Sequence, residues 1–110
     1  MICRLYDVVV VPFPFTDRRA TKRRPAVALS GENFNAASGN SVLAMVTSAT
    51  HSSWPLDIPI DAKGAGLRAP SIVRMKIFTL NNRLILRRAG NLQESDRRAV
   101  AQALMDLSDE

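Results

Sequence analysis

Residues 6–30 read YDVVVVPFPFTDRRATKRRPAVALS, two apolar runs on either side of a basic segment. The first run, Asp7–Phe15, is rich in valine and phenylalanine and predicts a β-strand. The second, Arg24–Ser30, predicts another strand that returns beside the first in a hairpin-like arrangement. Pro12 and Pro14 have no amide hydrogen to donate, so the second half of the first strand must lie at a sheet edge or at a bend.

Shorter apolar runs follow through the rest of the chain. Four further strands are predicted: Ser41–Thr47, Leu56–Ile60, Ser71–Leu80 and Leu84–Leu92. Gly31–Asn40 and Lys63–Pro70 are rich in turn-forming residues, which predicts connections. Alternation along the third of these strands places four side chains on one face: Ile72, Arg74, Lys76 and Phe78.

The last segment changes to a helical period. Val100, Leu104 and Leu107 fall at positions i, i+4 and i+7, which predicts one apolar stripe of a helix over about residues 94–108. Ser95 is the expected N-cap. Because so short a helix is not stable alone in water, we expect it to lay this stripe across the sheet.

Together these elements predict a mainly β fold with a C-terminal α-helix. Five to seven short, mostly antiparallel strands with Gly- and Pro-containing turns favour a small barrel at about residues 5–92. The 110 residues suit one domain, residues 1–110. A small barrel has no room for an internal ligand, so any chemistry must occur on its outer face or in its loops.

Positive charge is concentrated in the first part of the chain. The formal net charge is +5, and residues 1–93 hold 13 of the 15 Lys and Arg against five of the ten acids. This favours an anionic partner such as nucleic acid, although a merely solvated surface explains the charge equally well. Cys3 is the only cysteine, and no stretch has the length of a membrane span or the order of a signal peptide. We therefore predict a cytoplasmic protein.

Four residues are candidates for phosphate or proton chemistry. Arg24 precedes Pro25, which favours an extended backbone and projects a guanidinium suited to phosphate, with a solvated charge as the alternative. The hydroxyls of Thr47 and Ser48 can bind phosphate oxygens or simply begin a turn. His51, the only histidine, is either a general acid or base or an exposed side chain.

Aromatic residues add a candidate for base recognition. Trp54 and Phe34 can stack on nucleobases, with covering the core as the alternative. The sequence has no glycine-rich phosphate loop, no recognisable Ser-His-Asp pattern and no cluster with metal-ligand spacing. It therefore predicts neither a metal nor another cofactor.

Three segments together resemble the MazF/PemK family of toxins. Residues 6–30 resemble the family's opening, in which a hydrophobic strand and a polar loop precede an Arg-Pro pair and a Val-rich strand. The third strand of the family ends in Thr-Ser, as does LAMVTS at residues 43–48. Residues 66–92, GLRAPSIVRMKIFTLNNRLILRRAGNL, and the helix predicted after them resemble the second half of the family's sequences. The resemblance covers nearly the whole chain and matches Arg24 and Thr47 to the family's Arg and Thr.

This resemblance implies an SH3-like barrel, a homodimer and the toxin half of a type II toxin–antitoxin pair. It also implies a metal-independent endoribonuclease that cuts single-stranded RNA at short sequences and leaves 2′,3′-cyclic phosphate and 5′-hydroxyl ends. The cognate antitoxin is expected to carry an acidic, partly disordered segment that folds on the basic face. A non-catalytic nucleic-acid-binding barrel and a protein-interaction module are the alternatives.

The chain departs from the family pattern at two places. Tyr6 replaces the usual glycine before Asp7. Met75–Thr79 lacks the acid that some members have in the fifth strand and the Arg that many have before Thr. Arg74 lies nearby but is not aligned with either, so the resemblance assigns no proton-transfer residue.

The candidate residues have separate expected roles. Arg24 stabilises charge on the scissile phosphate, Thr47 holds a phosphate oxygen or the 2′-OH, and His51 is the reserve acid or base. The charged loop Thr16–Arg23 is expected to supply a mobile basic flap. The residues expected to contact RNA are Arg18, Arg19, Lys22, Arg23, Ser48 and Arg74.

Overall fold

The computed structural model describes residues 1–13, 22–48 and 53–110, and these ranges contain six strands, two α-helices and one 3-10 turn. The strands are β1 (Asp7–Phe13), β2 (Lys22–Ala28), β3 (Asn40–Ser48), β4 (Ile58–Ile60), β5 (Ser71–Asn81) and β6 (Arg87–Asn91). The helices are α1 (Glu32–Ser38) and α2 (Glu94–Asp106), and the 3-10 turn is Asn82–Leu84. All six strands pair antiparallel in one curved sheet, a half-barrel with the order β4-β5-β3-β2-β1-β6. The predicted fold class is confirmed.

The four valines of β1 are buried within the sheet, where the strand lies between β2 and β6 as far as Val10. Val8 belongs to one hydrophobic cluster, and Val9 and Val11 belong to the other. Full burial of each such side chain contributes about 1.5–3 kcal/mol. Beyond Val10 the strand pairs only with β2. The expected edge position of Pro12 is therefore confirmed, whereas Pro14 lies outside the described residues.

Two hydrophobic clusters occupy the two faces of the sheet. The first joins the strands to α2 and contains Val8, Val27, Ala44, Val46, Ile58, Ala65, Val73, Met75, Leu92, Val100 and Ala103. The second contains Cys3, Val9, Val11, Ala26, Ala28, Leu43, Leu80 and Ile85. Because these residues alternate along the strands, they fix the register, since a slip of one residue would turn every apolar side chain to the wrong face.

The helix α2 contacts β4 and β5 through a narrower stripe than the predicted one. Val100 and Ala103 are buried, whereas Leu104 and Leu107 are 38% and 49% exposed. The prediction that both leucines lie on the sheet is therefore wrong. The helix docks through Val100 and the small Ala103, one turn apart, which leaves the leucine side of the stripe facing outwards.

The ends of three elements also differ from the prediction. The N-cap of α2 is Gln93 rather than Ser95, and the Gln93 carbonyl oxygen accepts a hydrogen bond from the Arg97 amide. The strand β6 is shorter than Leu84–Leu92 because a 3-10 turn occupies its expected start. Lys22 belongs to β2 and pairs with β1, so it is not part of a loop.

The segment Gly31–Asn40 contains α1, where a connection was predicted. Its anchor is Asn35, which is fully buried and donates side-chain hydrogen bonds to the carbonyl oxygens of Cys3 (2.9 Å) and Ser30 (3.2 Å). Gly39 ends the helix in the left-handed region, and its amide donates to the Asn35 carbonyl oxygen. Helix propensity did not reveal α1 because tertiary hydrogen bonds hold this short segment.

Asp7 is a buried carboxylate that ties β6 to the start of the chain. One oxygen, Oδ1, accepts hydrogen bonds from Arg88 Nε (2.8 Å) and Asn91 Nδ2 (3.0 Å), and Oδ2 accepts one from the Arg4 amide (2.8 Å). Burial alone would raise the pKa of Asp7, but these hydrogen bonds and the Arg88 charge together lower it. Asp7 is therefore a charged structural residue, and it neutralises Arg88.

Gly66 and Gly90 allow the connection after β4 to lie directly against β6. Gly66 has a φ of +81°, and a Cβ there would lie 2.2 Å from the Ala89 carbonyl oxygen. A Cβ on Gly90 would lie 2.4 Å from the Ala65 carbonyl oxygen. The two backbones therefore touch without intervening side chains, and this contact sets the path of the chain immediately after Gly66.

Replacing Gly66 by alanine is expected to destabilise the fold by at least about 2 kcal/mol, because the new methyl group would combine an unfavourable φ with a backbone clash. Urea unfolding measures this change. Gly31→Ala is the matched control, since Gly31 has a negative φ and no atom near the added Cβ. Equal stabilities of the two variants would contradict the close contact.

Candidate active site

The register of β2 and β3 brings Arg24 level with Thr47. The hydrogen-bonded ladder between these strands ends at the pair Ala26 and Met45. Two residues further along each strand stand Arg24 and Thr47, separated from the ladder by Pro25, which has no amide hydrogen. Both residues line one cavity of about 270 Å³, which we call the Arg24–Thr47 cavity. The two residues matched from the resemblance therefore line one cavity from neighbouring strands.

The Arg24–Thr47 cavity also contains other predicted residues. Arg23 and Ser48 line it, next to Arg24 and Thr47 respectively. Arg23 is the second residue of β2, so its expected place in a mobile flap is wrong. No carboxylate or imidazole of the described residues lines the cavity. Its chemistry is that of guanidinium and hydroxyl groups, which suits an anionic ligand.

The Arg24 guanidinium is held by an aromatic ring. Its Cζ lies 5.5 Å from the centroid of the Phe13 ring, at the end of β1. Such a cation–π contact contributes about 0.5–1 kcal/mol where it is exposed to solvent. Within the described ranges Arg24 forms no ion pair with a carboxylate. Its guanidinium thus lies against Phe13, and no acid of the described residues neutralises its charge.

Arg68 is a further cation of this cavity that the sequence did not indicate. It follows Gly66 and Leu67 in the connection that packs on β6, and it lines the cavity together with Arg24. The sequence spacing does not indicate that residues 63–70 lie near β2. They do so because Gly66 has a positive φ and packs against Ala89, which only the three-dimensional structure shows.

A second depression adjoins Thr47 on the other side. This groove of about 440 Å³, the Lys76 groove, is lined by Phe13, Met45, Thr47, Arg74, Lys76, Ile77 and Phe78. Of the four side chains predicted to share a face, Arg74, Lys76 and Phe78 line this groove, whereas Ile72 does not. Ile77 joins them because the β3–β5 register shifts from Ala44–Ile77 to Met45–Arg74, a bulge that turns consecutive side chains to one side.

Arg74 supports the Lys76 groove through an ion pair with Asp57. Its Nε and Nη2 atoms donate to Oδ1 and Oδ2 of Asp57 at 3.1 and 2.8 Å, and both side chains are largely buried. The Arg74 hydrogen bonds lower the pKa of Asp57, and the Asp57 carboxylate raises the pKa of Arg74. This bidentate pair neutralises the Arg74 charge and gives the residue a structural role in addition to the predicted RNA contact.

Trp54 lies beside the Arg74–Asp57 ion pair and Lys76. Its ring centroid lies 4.7 Å from Lys76 Nζ and 5.8 Å from Arg74 Cζ. The Trp54 amide donates to Asp57 Oδ2 at 3.3 Å, and the Asp57 amide donates back to the Trp54 carbonyl oxygen. The indole is 41% exposed, so it does not cover the core. It presents an aromatic face beside a cation, which is an arrangement that binds nucleobases.

A family model described as PemK-like, MazF-like toxin of type II toxin-antitoxin system matches residues 4–108. The chain belongs to this toxin family. The resemblance noted in the sequence is confirmed, whereas a comparison with curated protein sequences gave no match.

Solved structures show the same fold. The Mycobacterium tuberculosis toxin MazF-mt6 is 24% identical with a TM-score of 0.75, covering 94% of this toxin and 96% of that chain. The MazE-MazF structure (Form-II) from Deinococcus radiodurans is 19% identical with a TM-score of 0.79, covering 99% and 97%. An endoribonuclease in complex with its cognate antitoxin from Mycobacterial species is 14% identical with a TM-score of 0.72, covering 94% and 89%. These likenesses support the half-barrel over nearly its whole length.

Three predicted site residues of the toxin lie outside the described residues: Arg18, Arg19 and His51. In the part of the chain that the structure describes, no three His, Cys, Asp or Glu side chains are grouped to bind a metal ion. No helix in the same ranges is long and apolar enough to cross a membrane. Among the described residues, the candidate site thus contains Arg24, Thr47 and the neighbouring arginines Arg23 and Arg68.

Acidification of the toxin is expected to change the fluorescence of Trp54, its only tryptophan. Because the pKa of Asp57 is lower in the folded protein than in the unfolded chain, the carboxylate stabilises the fold above about pH 4. That contribution is lost as the pH falls further, and the Arg74 pair beside Trp54 opens. Asp57→Asn should show the low-pH spectrum already at pH 7, whereas Asp109→Asn should behave as wild type. An Asp57→Asn spectrum equal to that of wild type at pH 7 would contradict this coupling.

Proposed function

We propose that this toxin is an endoribonuclease that cleaves single-stranded RNA without a metal ion. The observation that carries the proposal is the position of Arg24 opposite Thr47 in one cavity, with Arg23 and Arg68 beside them. A cluster of guanidinium groups around a hydroxyl suits the phosphate of an RNA backbone. Family membership supports the same reaction class.

The proposed reaction is an attack of a ribose 2′-OH on its own neighbouring phosphate. The 2′-oxygen forms a bond to phosphorus, the bond to the 5′-oxygen breaks, and the products are a 2′,3′-cyclic phosphate and a 5′-hydroxyl. Because the nucleophile is already tethered to its target, the protein has only to fix the in-line geometry and stabilise charge on the phosphate oxygens. Arg24 does the second, and Thr47 Oγ1 holds a phosphate oxygen or the 2′-OH.

Two protons move in this reaction. His51, the reserve acid or base of the proposal, or a water molecule takes the proton that leaves the 2′-OH. The departing 5′-oxygen takes a proton from water while Arg24 donates a hydrogen bond to it, or from Arg24 itself, which water then reprotonates. The described lining of the Arg24–Thr47 cavity offers no carboxylate or imidazole for this task. This feature favours the second candidate function, a barrel that binds nucleic acid without cleaving it.

Assembly with other chains is part of the proposal. Relatives of the same fold include MazE-MazF structures and an endoribonuclease with its cognate antitoxin. We expect the antitoxin of this toxin to place an acidic, partly disordered segment over Arg23, Arg24 and Arg68, which would block access of RNA. A homodimer in the cytoplasm is expected as for the family.

The proposal is tested by incubating a long single-stranded RNA with the purified toxin in EDTA and mapping the ends. Discrete cuts with 5′-hydroxyl and 2′,3′-cyclic phosphate ends are expected. A double variant with Arg24→Ala and Thr47→Val, purified in parallel, controls for contaminating nucleases and should leave the RNA intact. Intact RNA with the wild-type toxin, despite salt-sensitive binding, would contradict the nuclease and establish the binding barrel. Intact RNA with weak, salt-insensitive binding would favour a protein-interaction module.

A further inference from the structure

A third cavity lies next to the Arg24–Thr47 cavity and is lined by four arginines. This Arg87 cavity, of about 260 Å³, is bordered by Arg23, Arg24, Arg68 and Arg87. Its remaining lining is apolar or backbone, with no acid and no aromatic ring among the described residues. Four arginines therefore line one cavity with no carboxylate among its described lining residues, which leaves an uncompensated positive charge that favours an anion.

Arg87 differs from its neighbour Arg88 in the same strand. Arg88 donates to the buried Asp7 carboxylate at 2.8 Å and is therefore neutralised. Arg87 forms no ion pair within the described ranges and is exposed at the cavity. The fold consequently uses one arginine of β6 for its own support and leaves the charge of the other available for an external anion.

The Arg87 cavity continues the reaction cavity along the sheet. The two cavities share Arg23, Arg24 and Arg68. Val10 of β1 pairs with Pro25 of β2 on one side and with Arg87 of β6 on the other. Arg87 thus stands two strands away from the β2 residue next to Arg24, roughly 10 Å between backbones. Long arginine side chains can reach two successive phosphates of an extended strand across this distance.

We propose that the Arg87 cavity binds an RNA backbone phosphate adjacent to the one that is cleaved, an inference that rests on the proposed function. Arg87 and Arg68 hold this second phosphate, and Arg24 remains on the scissile one. The contact orients the strand, because two fixed phosphates define its direction across the sheet. Arg87 is accordingly a positioning residue, and it takes no part in the chemical step.

The test measures binding of an uncleavable 2′-O-methyl RNA oligonucleotide at several salt concentrations. For single strands the slope of log K against log salt changes by about 0.7 for each phosphate contact. Arg87→Ala is expected to reduce the slope by about this amount and to weaken binding, whereas Arg87→Lys should restore most of the slope. Arg83→Ala removes another exposed arginine, from the 3-10 turn, and should leave the slope unchanged. A slope for Arg87→Ala equal to that for Arg83→Ala would overturn the second phosphate site.

Replacing one phosphate by an uncharged methylphosphonate shows which phosphate Arg87 contacts. This replacement is moved, one position at a time, along an oligonucleotide that contains the mapped cleavage sequence. The wild-type toxin should lose affinity when the methylphosphonate is at either of two neighbouring positions. Arg87→Ala should lose affinity only at the scissile position, and Arg24→Ala only at the adjacent one. Loss of sensitivity at the same position in both variants would also overturn the proposal. If the wild-type toxin cleaves RNA but Arg87→Ala binds with the wild-type salt slope, only the second phosphate site is refuted. If Arg87→Ala changes the salt slope but the wild-type toxin does not cleave RNA, only the nuclease is refuted.

Discussion

Replacing Arg24 by alanine is expected to lower the rate of RNA cleavage by about 10²–10³-fold, which corresponds to about 3–4 kcal/mol of transition-state stabilisation. Arg24 lines the cavity opposite Thr47, is oriented by the Phe13 ring, and has no carboxylate partner among the described residues. Its donors are therefore arranged before the charge on the phosphate oxygens develops. Single-turnover cleavage of a defined RNA at saturating protein measures this loss separately from binding.

Two further variants test whether the guanidinium shape and the position of Arg24 matter, and not only its charge. Arg24→Lys keeps the charge but loses the planar fork, so it should recover only part of the rate. Arg98→Ala removes an exposed arginine of α2 and should cleave as wild type does. If Arg24→Ala retained the wild-type rate at saturation, Arg24 would be a binding residue and the chemical step would belong elsewhere.

Replacing Asn35 by aspartate is expected to destabilise the fold by about 3 kcal/mol, because it removes two donors and buries a negative charge. The Asn35 amide nitrogen donates to the carbonyl oxygens of Cys3 and Ser30, and aspartate would place an acceptor against both. Asn82 Nδ2 in turn donates to the Asn35 carbonyl oxygen at 2.8 Å. The loss would therefore affect the first residues of the chain, α1 and the 3-10 turn together.

Asn33→Asp is the matched control, since it makes the same chemical change on the exposed side of α1. A negative charge near the start of a helix is mildly favourable, so this variant should be as stable as wild type. Urea unfolding at pH 7 compares the two. A similar stability of both variants would show that the buried Asn35 network contributes little.

Several features could be predicted because they depend on local chemistry. The valine run predicts the buried strand β1, and the missing amide of Pro12 predicts its position at the sheet edge. Alternation in β5 predicts that Arg74, Lys76 and Phe78 lie together. Features that arise from distant contacts could not be predicted. Asn35 turns a polar segment into α1 only because Cys3 and Ser30 accept its hydrogen bonds.

In the candidate site, too, some residues could be predicted from the sequence and others only from the structure. Arg24 and Thr47 were identified by the residues around them and by the family pattern. Arg68 was missed because a backbone contact between Gly66 and Ala89 brings it to the cavity. The pair of Asp57 with Arg74 was missed because no spacing rule links a residue before β4 with one in β5.

Arg24 and Thr47 stand on neighbouring strands whose alignment is held by core residues, with Val27 opposite Ala44. Some described residues of the cavity lining, such as Arg68 and Ser71, are not part of that core. Substitutions of these residues can accumulate during evolution without moving Arg24 and Thr47. A scaffold of this kind can acquire a new RNA target while it keeps its chemistry, so related toxins can diverge in what they cut before they diverge in how they cut.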